Sequence, residues 1–367
     1  MIGIDRLKII NVSIVYIDLK RFRGHLISGE GVKIYETNLD DYIELSELDI
    51  TIKGQSTNEL DNYLMKLKLN RFPYLDFSID INAPRVIFGT NERNISNKED
   101  LEVVFEIVKE KFSNVGIEID IKDSVISAFE VNYNMDSNKL IDSFKLIKKA
   151  LSKTDNKIFS VDYKEETESI MFNLSDRKIK IYNKSRQLED SGQISQQNNL
   201  VRVEVSTTNT MLIRRLCKSK KATIESFINN LDDIKMFYVE TVNRNLKKVI
   251  NSYVEELEEN IYQRFIDGEK YFDVLVGVSA SGHLADIIVF DNALKRYYKA
   301  TNKKKPNTII KNYHKKLKRY DDNLYKKIKN NLSEINKLFE EIEVNSTTFK
   351  NSYNVAIWND IRCFEGT

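Results

Sequence analysis

The sequence predicts an α+β fold: an antiparallel sheet with helices packed on one face, followed by a helix-rich C-terminal region. Three observations predict it. Between residues 126 and 206, short stretches alternate apolar and polar residues with period two, as half-buried strands do. Interleaved with them, 97–113 and 137–152 repeat apolar residues at three- and four-residue spacing, the pattern of amphipathic helices. Beyond Thr207 the helical spacing takes over almost completely. The order helix, strand, helix, strands suits an antiparallel sheet with helices on one side.

In chain order, 6–17, 31–35 and 42–53 alternate as short strands, a small β region whose partner is either the following sheet or DNA. Residues 58–71 place Leu60, Leu64 and Leu67 on one face of a short helix, and 74–88 reads as extended until Pro84 interrupts it. Ser96 is the expected N-cap of the 97–113 helix, which ends at Gly116. A strand at 126–134 and a helix at 137–152, with Leu140, Phe144, Ile147 and Leu151 on one face, lead to strands at 157–163, 168–173, 177–183 and 200–206. The polar stretch 185–199 reads as a loop beside the last two. Helices follow at 209–218 and 221–265, the second expected to break near Asp232 and Asp233, and then a junction with an extended piece at 272–278. Helices at 283–300 and 307–320 come next, with Pro306 suited to a first turn. A last helix carries Leu324, Ile328, Leu332, Ile335, Phe339 and Ile342 on one face. The expected division is a β-rich region at 1–70, a sheet domain at 71–206, a helical extension at 207–267, a basic helical region at 268–345 and a tail at 346–367.

A chain of 367 residues with 41% hydrophobic content is large enough for two buried cores. Cys217 and Cys363 show no metal-ligand spacing, which fits a reducing compartment and excludes a disulfide or zinc scaffold. His25, His283 and His314 are scattered, so any metal sits on oxygen ligands, pointing to Mg²⁺ or Mn²⁺. The apolar run 9–19 contains Asn11 and Asp18 and is far too short to span a membrane; a cytoplasmic protein with no membrane partner is expected. The net charge is +2, yet residues 295–329 hold 14 Lys or Arg against Asp321 and Asp322. Such a block suits a polyanion, and Lys303, Lys304, Lys305, Lys311, Lys315, Lys316, Lys318 and Arg319 are the candidate DNA contacts within it. A solvated lysine-rich face is the plain alternative.

The candidate chemistry lies on three strands. Ile179 and Ile181 alternate with Lys178, Lys180, Tyr182 and Lys184; Val201, Val203 and Val205 alternate with Arg202 and Glu204; Phe129, Val131 and Tyr133 alternate with Ala128, Glu130, Asn132 and Asn134. With the polar faces together in one sheet, a phenol, ammonium groups and two carboxylates converge, the equipment for metal-assisted attack of tyrosine on a phosphodiester. The same alternation also describes an ordinary half-solvated sheet.

The run Ile179-Lys180-Ile181-Tyr182-Asn183-Lys184, the later Val201-Arg202-Val203-Glu204 and the upstream Ala128-Phe129-Glu130-Val131-Asn132-Tyr133-Asn134 resemble, in order, three blocks of the rolling-circle plasmid replication initiators. The upstream block is most similar to the branch shared with filamentous-phage gene II-type initiators. The resemblance spans roughly residues 70–265 and departs at Ala128, where the family has Arg, at Glu130, where it has Asp, and at Gln187, where Glu is frequent. It implies an enzyme that binds a replication origin and nicks and rejoins one DNA strand through a 5′-phosphotyrosine link. Tyr182 would be the nucleophile, Lys184 and Lys180 would favour its phenolate, and Glu130, Glu204 and Asn134 would hold Mg²⁺ or Mn²⁺. Arg202 would contact DNA, a host helicase and polymerase would be partners, and a homodimer stays open. A relaxase-like conjugative enzyme, or a non-catalytic DNA-binding replication or copy-control protein of the same fold, are the alternatives.

Overall fold

The computed structural model describes residues 1–18, 32–34, 49–53, 64–69, 76–114, 116–163, 166–190, 199–280, 286–303 and 306–347. The strands are β1 (Gly3–Ile17), β2 (Val32–Ile34), β3 (Asp49–Lys53), β4 (Leu64–Leu69), β5 (Asp76–Asn82), β6 (Ile117–Asp120), β7 (Val125–Asp136), β8 (Lys157–Tyr163), β9 (Glu166–Asn173), β10 (Lys178–Asn183) and β11 (Leu200–Thr207). They form one antiparallel sheet in the order β2-β3-β4-β5-β1-β7-β11-β10-β9-β8, with β6 also paired to β1. The fold is therefore α+β. Of the two partners the sequence left open for the first strands, the following sheet is the one they join: β1 runs between β5 and β7.

The helices are α1 (Ala83–Phe88), α2 (Lys98–Asn114), α3 (Asn138–Asp142), α4 (Phe144–Leu151), α5 (Lys184–Asp190), α6 (Thr210–Leu216), α7 (Ile224–Asn229), α8 (Leu231–Val242), α9 (Lys248–Ile266), α10 (Tyr271–Ala280), α11 (Ile287–Ala300), α12 (Pro306–Tyr320), α13 (Asp322–Lys327) and α14 (Asn331–Thr347). The apolar strand faces meet the helices. Phe129 packs edge-on against Phe227 of α7 and Phe237 of α8, with ring centroids 5.5 and 6.1 Å away, and Tyr238 of α8 donates its hydroxyl to the Val203 carbonyl at 3.0 Å. Burying a side chain such as Phe129 contributes about 1.5–3 kcal/mol. The last helix returns to this core: Tyr133 Oη donates to Glu341 at 2.7 Å and Ser137 Oγ to Glu334 at 2.9 Å.

Several elements differ from expectation. The stretch expected as the 58–71 helix contains β4 instead; Met65, Leu67 and Leu69 alternate with Lys66 and Lys68, and pairing with β3 and β5 selects that period over the leucine spacing. The loop at 185–199 begins as α5, because Asn183 Oδ1 accepts from the Arg186 amide at 3.1 Å and caps a helix there. The extended piece at 272–278 is α10, with Val274, Leu275 and Val278 buried at helical spacing. Asn97 rather than Ser96 caps α2, accepting from the Asp100 amide at 2.6 Å. The long helix after 221 breaks at Asn230, and α8 passes to α9 through a π-helical turn, Asn243–Lys247. The final helix breaks at Asn330, whose φ is 71°.

Candidate active site

Antiparallel pairing fixes which polar groups meet. Tyr182 of β10 stands opposite Arg202 of β11, which stands opposite Asn134 of β7. Two residues along, Lys180, Glu204 and Asn132 form the next row; two further, Lys178, Ser206, Glu130 and Arg6 form a row across β10, β11, β7 and β1. The predicted polar faces do lie on one side of one sheet.

β1 adds a group the sequence did not offer. Its pairing with β7 slips between Ile4 and Arg6, and at this irregularity Asp5 turns onto the polar face. One carboxylate oxygen from each of Asp5, Glu130 and Glu204 lies within 4.8 Å of the other two. Crowding and burial hold a proton here: Glu130 is pushed up to about 9, first by burial and next by the Glu204 charge. The signal was present as a fault in alternation, since Ile2 and Ile4 are followed by Leu7 and Ile9, one residue late.

Arg202 organises the centre. It is fully buried, and its guanidinium donates to Asp5 Oδ2 at 2.9 Å, to Asn134 Oδ1 at 2.7 Å, to the Asn91 carbonyl and to the Tyr182 oxygen. A side chain enclosed in this way has no surface to offer DNA, so Arg202 positions Asp5 and Tyr182 instead. Asn134 is likewise engaged at both ends, its Nδ2 donating to the Glu92 carbonyl at 2.7 Å and its Oδ1 accepting from Arg202. Asn134 Oδ1 thus shares the Arg202 guanidinium with Asp5, the carboxylate that joins Glu130 and Glu204.

Tyr182 is 4% exposed, more enclosed than an open sheet face would leave it. The segment after α1 bridges to β1 at Ile4 and Ile95 and brings the Asn91 carbonyl onto Arg202. Burial, and then the Glu204 charge, raise the phenol well above its ordinary value, while the Arg202 hydrogen bond opposes them. Lys180 Nζ sits 4.2 Å from the Tyr182 ring centroid and Lys184 Nζ 5.8 Å from it. Lys184 is 2% exposed and donates to Gln187 Oε1 at 2.9 Å. Burial, and next Arg202, push its ammonium down to about 7. A glutamate at 187 would favour the charged lysine; the amide present there brings no negative charge.

These groups line a cleft of ≈ 520 Å³ that includes Asp5, Glu130, Tyr182, Lys184, Gln187 and Glu204. The residues fit a hard divalent cation. The donors are all oxygen, and the buried Asp5 Oδ1 and Asn91 Oδ1 accept no hydrogen bond among the described residues. Mg²⁺ or Mn²⁺ matches such a set better than zinc.

Of the basic block, Lys304 and Lys305 lie outside the described residues. Lys311, Lys315, Lys316, Lys318 and Arg319 are exposed on α12, away from the buried Ile310 and Leu317, and the helix contains no acidic residue. Lys303 is exposed but donates to Tyr297 Oη at 2.8 Å. No helix among the described residues is long and apolar enough to cross a membrane.

No family model matches the chain, and no curated protein does. Among solved structures it is similar to a rolling circle replication initiator protein from Geobacillus stearothermophilus, at 12% identity and a TM-score of 0.36, over 67% of this chain and 84% of that one. So loose a likeness assigns no residue a role.

Proposed function

We propose that this protein is a rolling-circle replication initiator that binds origin DNA and nicks and rejoins one strand, with Tyr182 as nucleophile. The observation that carries the reading is the presence of a phenol in the same cleft as three mutually close carboxylates. The phenolic oxygen attacks phosphorus, the P–O3′ bond breaks, and a 5′-phosphotyrosine and a free 3′-hydroxyl result. The proton that leaves Tyr182 ends on the 3′ oxygen; Lys184, whose ammonium burial pushes down to about 7, would take it first. Arg202 favours the phenolate by its hydrogen bond, and Lys180 by its charge over the ring. Asp5, Glu130 and Glu204 would hold Mg²⁺ or Mn²⁺, which supplies charge withdrawal from the phosphate. A host helicase and polymerase would act on the opened strand, and the exposed cations of α12 would hold duplex phosphates.

The test is incubation of wild-type and Tyr182→Phe protein with labelled single-stranded origin oligonucleotides and Mn²⁺. A denaturant-resistant protein–DNA band from the wild type alone is expected; the same band from the variant removes Tyr182 as nucleophile. The near-complete enclosure of Tyr182 favours a second reading, a DNA-binding replication or copy-control protein without catalysis. No band from the wild type on its own origin selects that reading.

A further inference from the structure

A second cleft, ≈ 540 Å³ in volume, continues from the first along the polar face of the sheet. The two share Arg6, Asp80, Glu130, Lys178 and Ser206, so they are one continuous surface. The far end is formed by Lys8, Ala128 and Thr208, with Lys8 the cross-strand partner of Ala128. Along β7 the Lys178 row lies four residues from the Tyr182 row and the Ala128 row six, which at 3.3 Å per residue is about 13 and about 20 Å.

The charges in this cleft sort into paired and unpaired. Asp80 is bound by Arg6 and Asp176 by Arg177, which is itself buried and bonded to Thr241. Lys8 and Lys178 are exposed and form no ion pair among the described residues. Two uncommitted ammonium groups thus stand beside a floor that Ala128 leaves open, with the Ser206 and Thr208 hydroxyls nearby as donors. The volume suits a small ligand or a few linked groups. It is far too small for a duplex.

We infer that this cleft binds the backbone phosphates of a single nucleic-acid strand, Lys8 and Lys178 gripping nucleotides that flank the phosphate held at the carboxylate cluster. The inference rests on the nicking function proposed above, and binding without metal separates the two.

The experiment measures binding of a fluorescent oligo-dT 16-mer in EDTA by anisotropy, across a salt titration. The Lys8→Ala/Lys178→Ala variant should bind at least tenfold more weakly, with a log–log salt slope smaller by about 1.4, since each single-strand phosphate set free removes about 0.7. Ala128→Phe, which fills the floor with net charge unchanged, should weaken binding as well. Lys8→Arg/Lys178→Arg should bind as the wild type does. Lys145→Ala/Lys157→Ala removes the same charge from α4 and β8, outside the cleft, and should leave the slope intact. Unchanged binding by both the double-alanine and Ala128→Phe variants, or no binding of the 16-mer by the wild type, overturns the subsite. A wild type whose binding depends on the two lysines but which never nicks in Mn²⁺ sinks the catalytic reading and leaves the subsite standing. A wild type that nicks while the lysine variant keeps its full salt slope does the reverse.

Discussion

Replacing Glu130 by Gln should make the metal-free protein more stable. In the folded state Glu130 keeps its proton to about pH 9, because burial and Glu204 disfavour its charge, while in the unfolded chain it loses that proton near 4.5. The folded state therefore binds one proton more than the unfolded state between these values, so wild-type stability falls as pH rises from about 4.5 to about 9. At 1.36 kcal/mol per pH unit, retaining the proton at pH 7.5 costs up to about 4 kcal/mol, and at pH 5 less than about 1. Gln carries no such cost and can still donate to Glu204. Lys184 titrates in both proteins and cancels in the difference. Urea midpoints in EDTA should thus show Glu130→Gln ahead of wild type at pH 7.5 and nearly level at pH 5. Adding Mn²⁺ at 100 times its Kd should then stabilise the wild type by about 2.7 kcal/mol and the variant hardly at all. The wild-type gain should grow with pH, because the cation displaces the proton. A variant–wild-type difference that is flat with pH, or equal stabilisation of both by Mn²⁺, refutes the carboxylate cluster as a cation site.

Other expectations follow from the same geometry. Arg202→Met strands Asp5, Asn134 and the Asn91 carbonyl, and should cost about 3–5 kcal/mol in urea unfolding; Arg202→Lys should recover little, lacking the planar fork. Gly3→Ala would place a Cβ 2.5 Å from the Ile95 carbonyl oxygen. Pushing β1 from its cover should lower stability by about 1–3 kcal/mol, read in urea, and weaken Mn²⁺ binding through Asp5. Lys311→Ala/Lys315→Ala should reduce the salt slope for duplex DNA by up to about 0.9 for each phosphate no longer held, and an unchanged slope assigns α12 to solvent.

Period two was enough to place Tyr182, Glu130 and Glu204 on one face, because alternation within a strand is a local property. It was not enough to say what lies over that face. The Asn91 carbonyl that encloses Arg202 comes from a segment 111 residues away, so an arginine that reads as a surface cation is the most deeply engaged side chain of the site. Asp5 was hidden for a related reason: a strand irregularity breaks the rule by which faces are assigned, and β7, against which β1 slips, lies far along the chain. α5 was missed because a capped polar helix and a polar loop share a composition, and β4 because leucines at three- and four-residue spacing also fall within an alternating run.

The placement of β1 between β5 and β7 also governs how the molecule comes to exist. Asp5 and Arg202, which make the central ion pair, are 197 residues apart, so the loop they close is a long one and costly in entropy. Emerging from a ribosome at 5–20 residues per second, the first strand waits on the order of ten seconds or more for β11 to follow it. During that interval β5 and β7, which emerge earlier, can already flank β1, but Asp5 lacks Arg202 and the open side of β7 lacks β11. The pairings of β1 with β5 and β7, and of β7 with β11, are distant in sequence and should slow completion of the sheet, and the carboxylate cluster forms only once Glu204 has been synthesised and brought beside Asp5.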